Sequence, residues 1–377
     1  MKRKKDNKNY VKNIVALLGI WIMLSLFTFG IAQQRPKIAY TPAKDLTLVG
    51  KITSTENIFH RVDTNVFADL PAAVKKRVVQ SGGLAVSFKT NSPAVYAKWC
   101  TAGTVSSATM TAVAYRGLDL YIKRNGRWQY AGIARPREGQ ACASTTILQG
   151  MDNAEKECLL YLPLYDEMTR LEVGVDDGST MQAGAYPFQK RVLVYGSSIV
   201  QGASASRSGL AYAARLSRET GIDFLNLGMG GSAKMEKSVV DMIASFDADA
   251  FVLDCVPNSS PTQVSQRTAY LVETIRKKHP DAPIIVLQSV IRERGYFNLA
   301  SGERVRQQND NIKVEVAKLL QKGITNLYFI PADDFLGHDH EGSVDGTHPN
   351  DLGFDRMINV IKPKLMEVLD SSVNRKL

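Results

Sequence analysis

The pattern of apolar and polar residues divides the chain near residue 180. Upstream, over residues 46–175, apolar and polar residues alternate in short runs with a period of two, which is typical of strands that bury one face. Asn125-Gly126, between two of these runs, is the dipeptide that most strongly favours a tight hairpin. We therefore predict an antiparallel, jelly-roll-like β-sandwich domain over residues 35–180. The alternating runs lie at 84–88, 95–99, 118–122, 128–131 and 171–175.

Downstream of a glycine-rich link at residues 176–185, short apolar runs alternate with longer stretches of helical periodicity. Strands that alternate with helices predict a parallel sheet covered on both faces, with its functional edge at the carboxyl ends of the strands. We predict a flavodoxin-like α/β domain over residues 188–377. Its strands are expected at 192–195, 224–227, 250–254, 284–287 and 327–330, and its helices near 209–219, 234–246, 261–279, 304–322 and 351–369.

The first 32 residues differ from both halves. Residues 1–13 carry six Lys or Arg against one Asp, and residues 14–32 carry no charge. A basic start followed by an apolar stretch and small residues is typical of an export signal. An uncleaved membrane anchor is the alternative, because the uncharged run is just long enough to span a bilayer. In either case the rest of the chain is expected outside the cytoplasm, in the periplasm, the cell envelope or the medium.

The composition, with 44% hydrophobic and 22% charged residues, is that of an ordinary globular protein. Without the first 32 residues, 41 basic and 36 acidic residues remain. Short basic runs such as 75–77 and 276–278 are therefore expected on solvated helix faces, and no nucleic-acid partner is expected. The four cysteines are too few for a disulfide scaffold, and Cys142 and Cys158 are expected either to form a bridge or to be free and buried.

One histidine and one aspartate near the end of the chain point to a catalytic site. In Asp345-Gly-Thr-His348 the carboxylate stands three residues before the imidazole, so that it can hold Nδ1 and leave Nε2 free to take a proton from a hydroxyl. Ser198 is placed to supply that hydroxyl, because it follows the first predicted strand of the parallel sheet and precedes a helix. An exposed histidine beside a capping aspartate is the alternative.

Donors for an oxyanion are expected at the ends of the next two strands. After the second strand, residues 228–231 are rich in glycine, which lets backbone amides such as that of Gly231 point into a pocket. After the third strand, Pro257 blocks further helix and Asn258 offers a side-chain N–H. Together with the amide of Ser198 these groups form a predicted oxyanion hole.

Four segments, GSSIVQG at 196–202, NLGMGG at 226–231, PN at 257–258 and DGTHP at 345–349, resemble the sequence blocks of the SGNH (GDSL-like) hydrolase family, in the family's order. The resemblance implies that Ser198 is the nucleophile and an amide donor, that Gly231 and Asn258 are the other donors, and that Asp345 and His348 complete the triad. Upstream, the hairpin and the segment LPLY at 162–165 are similar to the β-sandwich domain of one bacterial branch. Ser197 departs from the family's commonest form, which has Asp there, and this puts the hydrogen bonding of the loop in doubt.

These features predict an exported serine esterase that cleaves O-acyl esters, acetyl esters on carbohydrate in particular, and that needs no cofactor. Acyl transfer to a sugar alcohol uses the same residues and remains open. A non-catalytic glycan-binding surface protein is the alternative from another class. The aromatic side chains of Trp99, Tyr121 and Trp128 are candidates for stacking on sugar rings, although alternate strand positions more often lie in the core. Residues 190–377 alone are expected to cleave p-nitrophenyl acetate but to lose much of the activity on acetylated polymer. Failure of this fragment to fold is the alternative, and it would give the sandwich a structural role.

Two other patterns invite a ligand. GMGGSA at 228–233 fits a dinucleotide fingerprint, with Asp254 at the end of the next strand, but it follows the second strand of the sheet rather than the first. GHDHE at 337–341 contains two histidines, which are more typical of a solvated turn than of a metal site. Neither a cofactor nor a metal ion is therefore expected.

Overall fold

The computed structural model describes residues 37–374, and residues 39–374 belong to one compact unit. The predicted export signal or anchor at residues 1–32 lies outside the described residues. Among the described helices, none combines the length and the apolar character that a membrane crossing requires.

The front half of the unit contains two antiparallel sheets, as the alternating pattern predicts. Its strands are β1 (Ile38–Pro42), β2 (Thr47–Val49), β3 (Ala85–Thr90), β4 (Ala94–Thr101), β5 (Leu118–Arg124), β6 (Arg127–Ala134), β7 (Cys142–Gln149), β8 (Lys156–Tyr161), β9 (Met168–Asp176) and β10 (Met181–Ala183). Helices α1 (Ala72–Val78) and α2 (Ala112–Arg116) interrupt the strands. Four strands form one sheet in the order β1-β9-β4-β7, and the other sheet has the order β10-β3-β8-β5-β6, with β2 paired to β3.

The aromatic side chains proposed to stack on sugars lie largely inside the protein. Trp99 is 2% exposed and donates its indole N–H to the carbonyl oxygen of Arg116 at 2.9 Å. Tyr121 is 4% exposed and belongs to a small cluster of buried side chains that includes Leu159 and Tyr161. Trp128 is partly buried and packs against this cluster. The stacking hypothesis is therefore wrong for Trp99 and Tyr121, because the inward positions of their strands belong to the core.

The cysteine pairing also differs from the prediction. Cys100 and Cys142, which face each other in register on β4 and β7, form a disulfide. Cys158 and Cys255 are free and buried. A bridge between Cys142 and Cys158 does not form because β7 and β8 lie in different sheets, and Cys158 is fully buried in the sandwich core.

The second half forms a five-stranded parallel sheet with helices between its strands. Its elements are β11 (Gln189–Gly196), α3 (Ser198–Gln201), α4 (Tyr212–Thr220), β12 (Ile222–Gly228), α5 (Lys237–Ser245), β13 (Ala250–Asp254), α6 (Pro261–Lys278), β14 (Ile284–Leu287), α7 (Leu299–Gln321), β15 (Leu327–Ile330) and α8 (Asp351–Asn374). The strand order is β12-β11-β13-β14-β15. Numbered from its own first strand this order is 2-1-3-4-5, which is the flavodoxin-like arrangement that the sequence predicted. Helix α7 begins earlier than predicted, because the Asn298 side chain accepts from the Ser301 amide and caps it.

The two halves share their hydrophobic cores. On one face of the parallel sheet, the strands and helices α5, α6 and α7 pack with five buried side chains from the front half, Ile52, Val62, Leu70, Val74 and Val78. On the other face, Leu164 and Tyr165 pack with helices α3, α4 and α8. The sandwich therefore contributes buried surface to the α/β half.

A buried ion pair adds a second link between the halves. Asp119, on β5, is fully buried and accepts from Arg207 Nη1 at 2.8 Å and from the Gly209 amide at 2.9 Å. A buried carboxylate without partners costs free energy, so the folded state favours the conformation in which Arg207 and Gly209 both donate to Asp119. The two contacts therefore fix the turn that precedes α4.

Candidate active site

Ser198 stands at the carboxyl end of β11, the second strand of the parallel sheet in spatial order, at the first position of α3. Ser197, the residue before it, is fully buried; its hydroxyl accepts from the Ile199 amide at 3.1 Å and caps the helix. The Ser197 amide donates to the carbonyl oxygen of Asp254 at 3.1 Å. Ser197, which stands where the family most often has Asp, therefore keeps the loop hydrogen-bonded through its hydroxyl and its amide.

Ser198, His348 and Asp345 form a continuous chain of contacts. The Oγ of Ser198 lies 2.9 Å from Nε2 of His348, and Nδ1 of His348 lies 2.8 Å from Oδ2 of Asp345. The other carboxylate oxygen of Asp345 accepts from the amides of Thr347 at 3.0 Å and His348 at 2.8 Å. The three sequence-predicted residues are therefore brought together, and the four-residue turn itself aims the imidazole.

The electrostatics of Asp345 suit an ionised carboxylate. Burial raises the pKa of this carboxyl, but the hydrogen bonds from the His348 ring and from the His348 and Thr347 amides outweigh it, so that the pKa is lowered overall. An ionised carboxylate takes a hydrogen bond from a protonated Nδ1, which leaves Nε2 of His348 as an acceptor toward Ser198.

The glycine-rich loop after β12 directs the Gly231 amide. Gly230 donates its N–H to Oε1 of Gln201 at 2.9 Å and accepts at its carbonyl oxygen from Nε of Arg77 at 2.9 Å. Because the C=O of Gly230 and the N–H of Gly231 belong to one planar trans peptide, they point in opposite directions. The bond from Arg77 therefore turns the Gly231 amide away from Arg77 Nε, and Gly231 adopts φ +73°, a conformation that favours glycine.

Asn258 contributes a side chain to the same place. It ends a short 3₁₀ turn, Val256–Asn258, after β13, and its Oδ1 accepts from the Ala233 amide at 3.3 Å. With the carboxamide oxygen engaged, its NH₂ group is the one left to donate to a ligand.

A cavity of about 430 Å³ unites these groups. Its volume lies in the range of sites for one small molecule. The residues that matter for its chemistry are Ser198, His348, Gly231, Asn258, Arg77 and Arg292. The arrangement offers a nucleophile, a base and three neighbouring N–H donors, which is the set that acyl transfer requires.

The comparisons with known proteins agree with this chemistry. The family model described as "GDSL-like Lipase/Acylhydrolase family" matches residues 189–366, and the model described as "N-terminus of Esterase_SGNH_hydro-type" matches residues 38–181. A crystal structure assigned as a GDSL-like lipase from Bacteroides ovatus ATCC 8483 is 53% identical, with a TM-score of 0.87, and the match covers 89% of this chain and 98% of that one. The chain belongs to the GDSL-like lipase/acylhydrolase family.

Membership of this family makes the chain a carboxylic ester hydrolase. Two more distant structures share its fold. The salicylyl-acyltransferase SsfX3 from a tetracycline biosynthetic pathway is 18% identical, with a TM-score of 0.72, over 89% of this chain and 98% of that one. A family two carbohydrate esterase from Clostridium thermocellum, solved with cellohexaose, is 12% identical, with a TM-score of 0.56, over 77% of this chain and 93% of that one. No curated protein matches the chain.

Two arginines from the front half support this hydrolase site, and the sequence did not reveal them. Arg61 is fully buried; its Nη1 donates to the carbonyl oxygens of Gly228 at 2.8 Å and Asn226 at 3.1 Å. Burial lowers the pKa of Arg61 to about 9, so the ion is held there at a cost in free energy. Arg77 belongs to the basic run predicted to lie on a solvated helix face, and for Arg77 that prediction is wrong, because it lines the cavity.

The alternative ligand patterns have structural explanations. Asp254 is 2% exposed and accepts from the Tyr212 hydroxyl at 3.1 Å, so it is not placed to bind a ribose. A Cβ on Gly228 would lie 2.1 Å from the Gln201 amide nitrogen, which requires glycine for packing. His338 and His340 contact Asp334 and Glu293, each at 2.9 Å. Within residues 37–374 no group of three or more candidate ligands is placed to hold a metal ion.

Proposed function

We propose that this hydrolase is an exported serine esterase that removes O-acyl groups, acetyl in particular, from carbohydrate. The observation that carries the proposal is the pair of contacts through His348, 2.9 Å from its Nε2 to Ser198 Oγ and 2.8 Å from its Nδ1 to Asp345 Oδ2. These contacts end beside the amide of Gly231 and the side chain of Asn258 in one cavity.

In the proposed reaction, Oγ of Ser198 forms a bond to the ester carbonyl carbon while Nε2 of His348 takes the hydroxyl proton. The carbonyl π electrons move to the oxygen, which is held by the amides of Ser198 and Gly231 and by the Asn258 side chain. His348 then gives its proton to the leaving alcohol as the C–O bond breaks. Water, deprotonated by His348, then attacks the acyl carbon. The bond from this carbon to Ser198 Oγ breaks as His348 returns the proton to Oγ, which releases the acid and restores the serine.

The substrate class and the location rest on separate support. The proposal that the substrate is a carbohydrate is supported by the shared fold with the carbohydrate esterase that was solved with cellohexaose. The cavity of about 430 Å³ has room for a short acyl group next to a sugar unit. Export rests on the basic and apolar pattern of residues 1–32.

Acyl transfer is the second candidate, and the shared fold with a salicylyl-acyltransferase favours testing it. The same residues would form the acyl-enzyme, and a sugar hydroxyl would take the place of water. The two functions differ only in the acceptor, so that the products decide between them: free acid for hydrolysis and an acylated glycan for transfer.

The test is a panel of p-nitrophenyl esters and acetylated polysaccharides given to the wild type and to Ser198→Ala. We expect acetyl esters to be cleaved and kcat to fall by about 10⁴-fold or more in Ser198→Ala and in His348→Ala, with the double variant little worse, because the triad acts as a unit. Ser197→Ala is the matched control: it loses a helix cap worth about 1 kcal/mol and keeps the nucleophile. Equal loss in Ser197→Ala, or additive losses in the double variant, would contradict the assignment.

A further inference from the structure

The catalytic cavity has a cationic wall. Among the described residues that line it, Arg77 and Arg292 carry charge, whereas aspartate and glutamate are absent. Neither arginine forms an ion pair with a carboxylate anywhere in residues 37–374. Part of Arg77 is occupied, since its Nε donates to Gly230. Arg292 likewise has only backbone contacts: its Nη2 donates to the carbonyl oxygen of Pro257.

Arg292 is held in place but is not satisfied. Its Nη2 donates to the carbonyl oxygen of Pro257 at 2.8 Å, and Pro257 is the residue before Asn258. Its Nε is buried and has no hydrogen-bond partner among the described residues. A buried donor without an acceptor costs free energy. Because Nε is closed to solvent, an anion in the cavity can contact only the other N–H groups of this guanidinium, which lines it.

The surroundings add to this deficit. Burial, followed by the like charges of Arg304 and Arg294, lowers the pKa of Arg292. The nearby carboxylates are already engaged: Asp345 accepts from His348, and Glu293 contacts His340. The charge of Asp345 acts in the opposite direction and raises this pKa. A guanidinium ion that is partly buried, has like charges nearby and forms no ion pair is stabilised further by an anion.

We propose that Arg292 is a specificity residue that binds a carboxylate of the substrate, so that the preferred ester carries a negative charge close to its acyl group. This inference rests on the esterase function proposed above and names the substrate class for that same site. Because the cavity holds one small ligand, the carboxylate and the scissile ester belong to the same unit of the substrate. The carboxylate can lie on the alcohol side, as in an O-acetylated uronic acid, or on the acyl side, as in a dicarboxylic acid hemiester.

Matched pairs of esters test the proposal with the full chain. For the alcohol side, kcat/KM is compared for an O-acetylated methyl uronoside and for its neutral methyl ester. For the acyl side, p-nitrophenyl hemisuccinate is compared with p-nitrophenyl butyrate. We expect the wild type to prefer the anionic member of one pair by about tenfold or more, the usual effect of one charge-assisted hydrogen-bonded pair.

The variants Arg292→Gln and Arg292→Lys separate charge from packing. Arg292→Gln should reduce the anionic-to-neutral ratio by about tenfold, and Arg292→Lys, which keeps the charge but loses the planar fork of N–H donors, should retain part of it. The ratio is informative because any disturbance of the Pro257–Asn258 loop affects both esters alike. Arg306→Gln on α7 removes the same charge from an exposed position and should leave the ratio unchanged. A ratio near one for both pairs in the wild type, or an unchanged ratio in Arg292→Gln, would overturn the proposal.

A binding measurement keeps this inference distinct from the esterase proposal. Calorimetry on Ser198→Ala should show glucuronate or succinate binding more tightly than glucose or butanol, and Ser198→Ala/Arg292→Gln should lose that difference. Carboxylate binding that depends on Arg292 without any ester hydrolysis would contradict the esterase proposal and leave a carboxylate-binding site at Arg292. Hydrolysis of neutral esters without carboxylate preference or binding would do the reverse.

Discussion

Arg77 Nε donates a hydrogen bond to the carbonyl oxygen of Gly230, with 2.9 Å between the two atoms. The bond crosses from helix α1 of the front half to the loop after β12, and it sets the plane of the peptide whose N–H belongs to Gly231. Arg61 contacts the start of the same loop, because its Nη1 donates to the carbonyl oxygen of Gly228. The front half is therefore part of the catalytic apparatus that we propose, because it orients a donor that it does not itself carry.

The first prediction concerns Arg77 as a positioning residue. Arg77→Ala should lower kcat on p-nitrophenyl acetate by about 10- to 100-fold with a small change in KM, less than the 10²–10³-fold typical of losing an oxyanion donor outright. Arg77→Lys should recover part of the rate, since an ammonium group can still donate to Gly230. Lys76→Ala, an exposed neighbour on the same helix, is the control. A rise in KM at constant kcat would instead indicate that Arg77 binds substrate.

The second prediction concerns Asn258. Its Oδ1 accepts a hydrogen bond from the Ala233 amide, so its NH₂ group is the part that can donate to the oxyanion of the transition state. Asn258→Ala should reduce kcat by about 10²–10³ with little change in KM. Asn258→Asp should be at least as inactive, because a carboxylate of the same size has no N–H and repels an oxyanion. Normal kcat in either variant would place the side-chain donor elsewhere.

The sequence predicted what local patterns determine. The five parallel strands follow from apolar runs of four to five residues, and Asp345 finds His348 because three residues of one turn separate them. The resemblance of four short segments to one family placed Ser198 against His348, although 150 residues separate them in the chain. These relationships can be predicted from the sequence because a short sequence motif identifies each of the residues involved.

What the sequence did not predict depends on contacts between distant segments. Arg61 contacts Gly228 across 167 positions and Arg77 contacts Gly230 across 153, and a lone arginine in a basic run gives no sign of its partner. The cysteine pairing failed for the same reason: the register that places Cys100 opposite Cys142 arises from sheet order, which the alternating pattern leaves open.

The third prediction uses the buried carboxyl of Asp254, whose pKa burial raises from 3.8 to about 7. Between these two values the unfolded chain is ionised and the folded protein is protonated, so stability falls as pH rises from about 4 to 7 and is not regained above 7. Asp254→Asn can still accept from Tyr212, and it removes this loss, which is about 4 kcal/mol at three pKa units. The melting temperature of the variant should exceed that of the wild type by several degrees at pH 8 and by much less at pH 4. Asp241→Asn, at an exposed site, is the control, and equal pH slopes for wild type and Asp254→Asn would contradict the prediction.

The last prediction concerns the α/β half expressed alone, as residues 190–377. The sequence favoured an active fragment, but the shared core leads us to expect the opposite. Removing the front half strips Ile52, Val62, Leu70, Val74 and Val78 from the core of the parallel sheet. At about 1.5–3 kcal/mol for each buried side chain, the loss is on the order of 10 kcal/mol. That is comparable to the roughly 5–15 kcal/mol that stabilise a whole domain. The fragment should show no cooperative thermal unfolding by circular dichroism and no turnover of p-nitrophenyl acetate, whereas a chain that starts at residue 33 should show both. A folded fragment with wild-type kcat would mean that neither the shared core nor Arg77 is needed to form the site.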